Sequence, residues 1–303
     1  MARVGFNGFK SKSAKSIGKK NIADKYSILD VAIESILGNQ NVQVFTTLIP
    51  RTMVIDDSNS VSRWNPLNYS NENCYLTKSG NSPTYDTQYK LGKYGGVRSV
   101  SNQGLVQNAS EDSASFNKTF IMYMRQNLRG GFGTSETLFS HTWNASPICA
   151  TSRFNTNNNA NFTYFNHATS SVPTVKTAQA NTFASILLPV SSSVFRVFES
   201  NILSNRTGSQ SIYDSNKSLI VAGTGYTNTF TTNNSSYTFT PTSIGLTTAE
   251  WDTHYTNGFP ASKINLLTNA NDSMFYTLIY VPASLTAVQI QETKLLLDKL
   301  YGA

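Results

Sequence analysis

Charge is scarce in this sequence outside one short segment. Asp, Glu, Lys and Arg make up 14% of its 303 residues, against roughly a quarter in ordinary soluble domains. Asn, Ser, Thr and Tyr fill the gap, and Asn alone occurs 32 times. Such a neutral, hydroxyl- and amide-rich surface is unlike that of most metabolic enzymes. Cysteine is nearly absent. Cys74 and Cys149 allow at most one disulfide and have no metal-ligand spacing, so the expectation is two buried free thiols. No apolar run approaches the roughly 18 residues of a membrane span. The basic start is not followed by an apolar stretch of the signal-peptide kind. No membrane association is expected.

The chemistry of common enzyme classes is missing too. Glycoside hydrolysis needs two carboxylates in one cleft, and alternate residues of a strand supply them because they share a face. The seven Glu (34, 72, 111, 136, 199, 250 and 292) include no E-x-D-x-E segment. The neighbours Asp56-Asp57 and Glu111-Asp112 would point to opposite faces of a strand. His141, His167 and His254 are isolated, no G-x-S-x-G elbow occurs, and Gly130-Gly131-Phe132-Gly133 lacks the Lys-Ser/Thr of a phosphate loop. No catalytic residue, resident metal or cofactor is assigned. The only cation weighed is calcium, with Asp56, Asp57, Asn269, Asn271 and Asp272 as oxygen ligands in loops. Asn and Asp favour turns without any ion.

What is present begins with a basic arm. Residues 1–25 hold Arg3, Lys10, Lys12, Lys15, Lys19, Lys20 and Lys25 against one acid, Asp24, and so carry +6 of the chain's +7. Phe6 and Phe9 add two apolar anchors. A basic arm on a near-neutral body reads as an attachment device. Lysines could neutralise phosphate, but one Arg and no interleaved aromatics disfavour nucleic acid, and an acidic protein surface serves equally well.

Ile28, Leu29, Ala32, Ile33, Ile36 and Leu37 recur at helical spacing, with Gly38 as the stop. This short helix could pack on its own body or on a neighbour; with the arm it makes an anchoring segment, 1–41. From residue 42 short β-forming runs alternate with polar punctuation: Val42–Phe45, Thr47–Ile49, Thr119–Met124, Ser185–Val190, Ser193–Phe198, Ser218–Ala222 and Met274–Val281. Several alternate with period 2, which predicts one wet face. The tracts Asn155–Asn161 and Thr227–Ser236 read as polar loops. No helix-length periodic segment interrupts the run. A last helix opens on the capping box Thr286-x-x-Gln289, carries Val288, Ile290, Leu295, Leu296 and Leu300, and ends before Gly302. Leu295 and Leu296 are expected in the core. The fold class is all-β: an antiparallel sandwich, 42–303, closed by a C-terminal helix.

The order of these segments resembles the concanavalin A-like lectin/glucanase jelly roll in its laminin-G-like form. Ser60-Val61-Ser62-Arg63-Trp64-Asn65-Pro66-Leu67-Asn68 is similar to that family's "x-V-x-x-W-x-D-x-S-x-N", with Asn65 where Asp is usual. Pro83-Thr84-Tyr85, Gly95–Val100, Phe116–Met124 and Thr137-Leu138-Phe139-Ser140 follow in matching order, and Phe275–Val281, Leu285-Thr286 and Leu297–Gly302 resemble its closing strand and helix. The resemblance implies the jelly roll and places Trp64 in the core. Such domains are frequent in tailed-phage virion proteins. The expected function is therefore a non-enzymatic virion structural protein: a head decoration, fibre-base or tail-associated component, made in the host cytoplasm. Its expected partners are other virion proteins and further copies of itself in a symmetric assembly. One alternative is a glycan-binding host-attachment module, with Trp143, Trp251 and Tyr255 as stacking residues. Another is a principal capsid protein whose arm binds the genome.

Overall fold

The computed structural model describes residues 29, 31–38, 42–67, 74–100, 103–108, 117–125, 139–143, 148–157, 160–169, 183–186, 194–204, 207–218, 236–239, 247–257, 262–266 and 273–302, giving the backbone alone for the strands between 139 and 186. In chain order the elements are α1 (31–37), β1 (Gln43–Thr46), a 3-10 turn (Pro50–Thr52), β2 (Met53–Ile55), β3 (Val61–Trp64), β4 (Leu76–Lys78), β5 (Thr84–Leu91), β6 (Tyr94–Ser99), β7 (Leu105–Gln107) and β8 (Lys118–Arg125). There follow β9 (Phe139–Trp143), β10 (Ile148–Asn157), β11 (Ala160–Thr169), β12 (Phe183–Ile186), β13 (Val194–Ser204), β14 (Thr207–Tyr213), β15 (Ser236–Phe239), α2 (Thr248–Asn257), β16 (Ser262–Leu266), β17 (Ser273–Val281) and α3 (Ala287–Tyr301).

The strands form two sheets. Sheet A has the order β15-β14-β13-β8-β17-β6-β5, with β1 also paired to β17; sheet B has the order β12-β11-β10-β9-β16-β7-β4-β3-β2. Every ladder between strands is antiparallel. The chain passes repeatedly between the sheets: β1 lies in A, β2–β4 in B, β5–β6 in A, β7 in B, β8 in A, β9–β12 in B, β13–β15 in A, β16 in B and β17 in A.

Two apolar layers follow. The first lies between the sheets and joins Phe45, Val97, Phe120, Met122, Phe198, Phe275 and Leu278 of sheet A to Met53, Val61, Trp64, Leu76, Leu105, Ile264 and Leu266 of sheet B. Trp64 is fully buried there, edge-on to Phe45. The second lies on the outer face of sheet A, where α1 (Ile33, Leu37) and α3 (Ile290, Leu297, Tyr301) cover Val44, Ile121, Tyr123, Val197, Tyr276 and Ile279. The fold is thus a β-sandwich with a helical layer on one side.

That second layer corrects the expectation of one wet face for the central strands. All nine residues of β17 are buried, as are seven of the eight in β8. Burial on both faces explains their continuous apolar runs. Other expectations shift as well. Thr47–Ile49 is a turn into the 3-10 element rather than a strand. The Thr46 side chain already accepts from the Leu48 amide, and Pro50 cannot donate to a ladder. The tract Asn155–Asn161 is no simple loop, because β10 runs to Asn157 and β11 starts at Ala160 opposite it. A ladder satisfies the backbone whatever the side chain. α2 was not foreseen; it is polar almost all round and offers one buried apolar residue, Trp251, so no periodic stripe marks it.

The C-terminal helix follows the sequence at its ends and departs from it in the middle. Thr286 and Gln289 form the capping box, and Gly302 closes the helix at φ 74°. The buried side is Ile290, Thr293, Leu297 and Tyr301, Leu296 is partly buried, and Leu295 is 61% exposed. Leu295 is five positions beyond Ile290, about 140° around the helix, which carries it away from the sheet. On α1, Gly38 takes φ 78° and returns its amide to the Glu34 carbonyl. The α1 carbonyl of Ile36 accepts a hydrogen bond from Gln289 Nε2, which ties the two helices together. Among the described residues no helix is long and apolar enough to cross a membrane.

Candidate functional site

Most of the residues nominated from the sequence lie outside what the structure describes. Arg3, Phe6, Phe9, Lys10, Lys12, Lys15, Lys19, Lys20 and Lys25 lie outside the described residues. So do Asn269, Asn271 and Asp272 of the calcium set, and Gly130–Gly133. Trp143 ends β9, paired with Ser262, and its side chain is outside what is described. Trp251 is fully buried, so it cannot stack on a sugar, a correction that follows from α2 turning that residue inward. Tyr255, on the same helix, is 49% exposed. Cys74 is a buried free thiol, as expected. Glu250 and Asp252 are two apart, but they lie on α2, where that spacing turns residues about 200° from each other.

Asp56 has an evident local task. Its Oδ1 accepts from the Ser58 amide (2.9 Å), the Ser58 hydroxyl (2.6 Å) and the Ser60 amide (2.9 Å). These bonds hold its carboxyl below the usual carboxylate range, the Ser58 hydroxyl contributing most. The oxygen nominated for calcium closes the β2–β3 turn. Among the described residues no group of three or more His, Cys, Asp or Glu is placed to hold a metal ion.

A buried polar group lies at the start of α3. Glu199 of β13 is fully buried. Its Oε1 accepts from Lys217 Nζ (3.1 Å) and from the Leu285 amide (3.1 Å). Lys217 also donates to the Leu285 carbonyl, while Thr119 Oγ1 donates to the Ala283 carbonyl at 2.7 Å. Glu199 Oε2 makes no hydrogen bond. This one carboxylate, with one oxygen engaged, is shut away from solvent, and no second acid is paired with it among the described residues. The arrangement pins the Ala283–Leu285 segment, and hence the beginning of α3, to sheet A. The sequence could not have shown it, because its members are 18 and 86 residues apart.

At the other end of α3, Tyr301 inserts its hydroxyl where β17 leaves β6 and joins β1. That hydroxyl donates to the Tyr276 carbonyl (2.8 Å), so Thr277 Oγ1 donates to it (2.7 Å), and Thr46 Oγ1 in turn sits 3.0 Å from Thr277 Oγ1. The Tyr301 ring meets Tyr94, Tyr123 and Tyr276 edge-on. Gly92, at φ 57°, brings the β5–β6 hairpin so close that a Cβ there would overlap the Tyr301 carbonyl.

No protein-family model and no curated protein matches the sequence. Among solved structures, Trypanosoma rangeli sialidase in complex with sialic acid aligns at 9% identity over 93% of this chain and 39% of that one, with a TM-score of 0.48. A protein of unknown function from Shewanella oneidensis MR-1 aligns at 12% identity over 91% and 99%, with a TM-score of 0.41. The binding domain of Paraclostridial Mosquitocidal Protein 1 aligns at 11% identity over 85% and 52%, with a TM-score of 0.42. The chain spans about two fifths of the sialidase's length.

Proposed function

We propose that this chain is a non-enzymatic structural protein of a virion, of the tailed-phage kind, in which a concanavalin A-like jelly roll is held on the particle through the basic arm. The observation that carries this reading is the charge asymmetry: residues 1–25 hold +6 of the chain's +7. The state of α1 supports it. The apolar side of that helix is buried against sheet A and α3, so attachment falls to what precedes it. The repeated passage of the chain between two antiparallel sheets fits a jelly roll. The engagement of Glu199 in an internal clamp, and the absence of an E-x-D-x-E segment, support a role without catalysis.

The test is deletion of residues 1–25. The truncated protein should melt as the full chain does and fail to enter the parent particle, read by co-sedimentation with purified particles. Entry at the full-length level would sink the anchoring idea.

A further inference from the structure

The helical layer on sheet A has an outer side of its own. Among the described residues six large apolar side chains are exposed, and three of them, Val31, Val288 and Leu295, lie on α1 and α3. Apolar residues scattered singly over a surface need no explanation, but these are gathered on one layer. α1 and α3 run antiparallel. The Ile36 carbonyl accepts from Gln289 near the start of α3, while Leu29, ahead of α1, lines a cleft with Leu300 near the end of α3. Val31 therefore sits beside the second half of α3, the half that holds Leu295.

Along α3 the exposed side is a stripe. At about 100° per residue, Val288, Glu292, Leu295 and Lys299 fall within an arc of about 60°. All four are exposed, and they lie opposite Ile290, Leu297 and Tyr301, which meet the sheet. The order of the stripe is self-complementary. Leu295 lies one residue from the middle of Ala287–Tyr301. Glu292 stands three residues before it and Lys299 four after; Val288 stands seven before it and Gly302 seven after. A second, antiparallel α3 turned about Leu295 would bring Glu292 to within about 1.5 Å of the level of the partner's Lys299, and this twice over. Val288 would meet the partner's Gly302, where an added Cβ finds nothing within 4 Å. Antiparallel alignment also sets the positive start of each helix beside the negative end of the other.

We infer that the outer side of the α1–α3 layer is an isologous interface between two copies of this chain, with Leu295 on the two-fold axis. A two-fold contact uses one patch on both copies, which is what a self-complementary stripe supplies. The 15 residues of α3 span about 22 Å, and neighbouring helix axes lie about 8–10 Å apart, so the layer offers about 400 Å² per copy. Standard stable interfaces bury about 800 Å² per partner. The dimer is therefore a weak one, filled at high concentration or within a symmetric assembly. It is made by the body of the protein and holds whether or not the basic arm anchors the chain.

The test uses the full chain. Sedimentation velocity over a series from micromolar to near-millimolar concentration should show a reversible monomer–dimer equilibrium. Glu292→Lys turns two attractions into two repulsions and should weaken the dimer by about tenfold. Adding Lys299→Glu restores opposite charges across the axis and should return the affinity to that of the wild type. These side chains are exposed, so the melting temperature should not move in either variant. Leu295→Cys carrying a thiol-linked benzophenone should, on illumination, crosslink to α3 of a second copy, mapped by mass spectrometry. A monomer at every concentration overturns the inference. So does a dimer indifferent to Glu292→Lys, and so does a double reversal that stays as weak as the single one. Crosslinks from position 295 to residues 1–28 would make the arm the occupant of this face and overturn it equally.

Discussion

Lys217 adopts a backbone conformation that lysine has no intrinsic reason to adopt, φ 58°. The turn around it repeats the Asp56–Ser60 turn. In each, an Asp side chain accepts from amides two and four residues on, and the fourth residue is left-handed. The left-handed place is Asn59 in one turn and Lys217 in the other. Relief of strain alone would make Lys217→Gly stabilising by about 0.5–1 kcal/mol. Removing the ammonium, however, leaves the buried Glu199 carboxylate without its counter-charge, a loss on the order of 3 kcal/mol. Lys217→Gly should therefore lower the urea midpoint, and a midpoint at or above wild type would show that the clamp contributes nothing. The tyrosines give a pH signature at the same scale. Burial, followed by the Asp298 carboxylate, pushes Tyr123 up to about 12, and burial raises Tyr301 as well. Both phenols hold their protons more tightly folded than unfolded. The stability they contribute is whole below about pH 10 and is lost as pH rises through about 12. Thermal midpoints measured across that window should fall, and Tyr123→Phe should make the fall shallower.

At the scale of elements, α3 decides how sheet A is closed. Its ends were legible from the sequence, because a capping box and a terminal glycine act within a few residues of themselves. Its buried side was not. Val288, Ile290, Leu295, Leu296 and Leu300 read as the apolar stripe, but packing on the layer of Ile121, Tyr276 and Ile279 buries Ile290 together with Leu297 and Tyr301, two residues outside that set. Leu297→Ala should cost about 2–5 kcal/mol by chemical denaturation, whereas Leu295→Ala should stay within about 0.5 kcal/mol. Equal losses at the two positions would mean that the helix is seated differently. α2 escaped detection for a related reason: it is held by one residue, Trp251, and a single anchor has no period.

At the scale of the molecule, the asymmetry between the two sheets organises everything else. The central strands of sheet A, β8 and β17, are buried on both faces, and α1 lies on that sheet; none of the nine strands of sheet B carries an Asp or a Glu. Because α1 and its apolar side remain in place, removing residues 1–25 should cost attachment and leave the melting temperature of the body alone.

The amino-acid sequence alone determined the charge-bearing arm, the all-β class, the strands β1, β8, β13 and β17, the core place of Trp64 and both ends of α3. Each of these rests on composition, on a short period or on capping over three or four residues. Tertiary structure alone decided which strands are buried on both faces, which leucine of α3 meets the sheet, the inward turn of Trp251 and the Glu199–Lys217 clamp. Those features join residues tens to hundreds of positions apart, and a ladder or an ion pair at that distance leaves no local pattern to read.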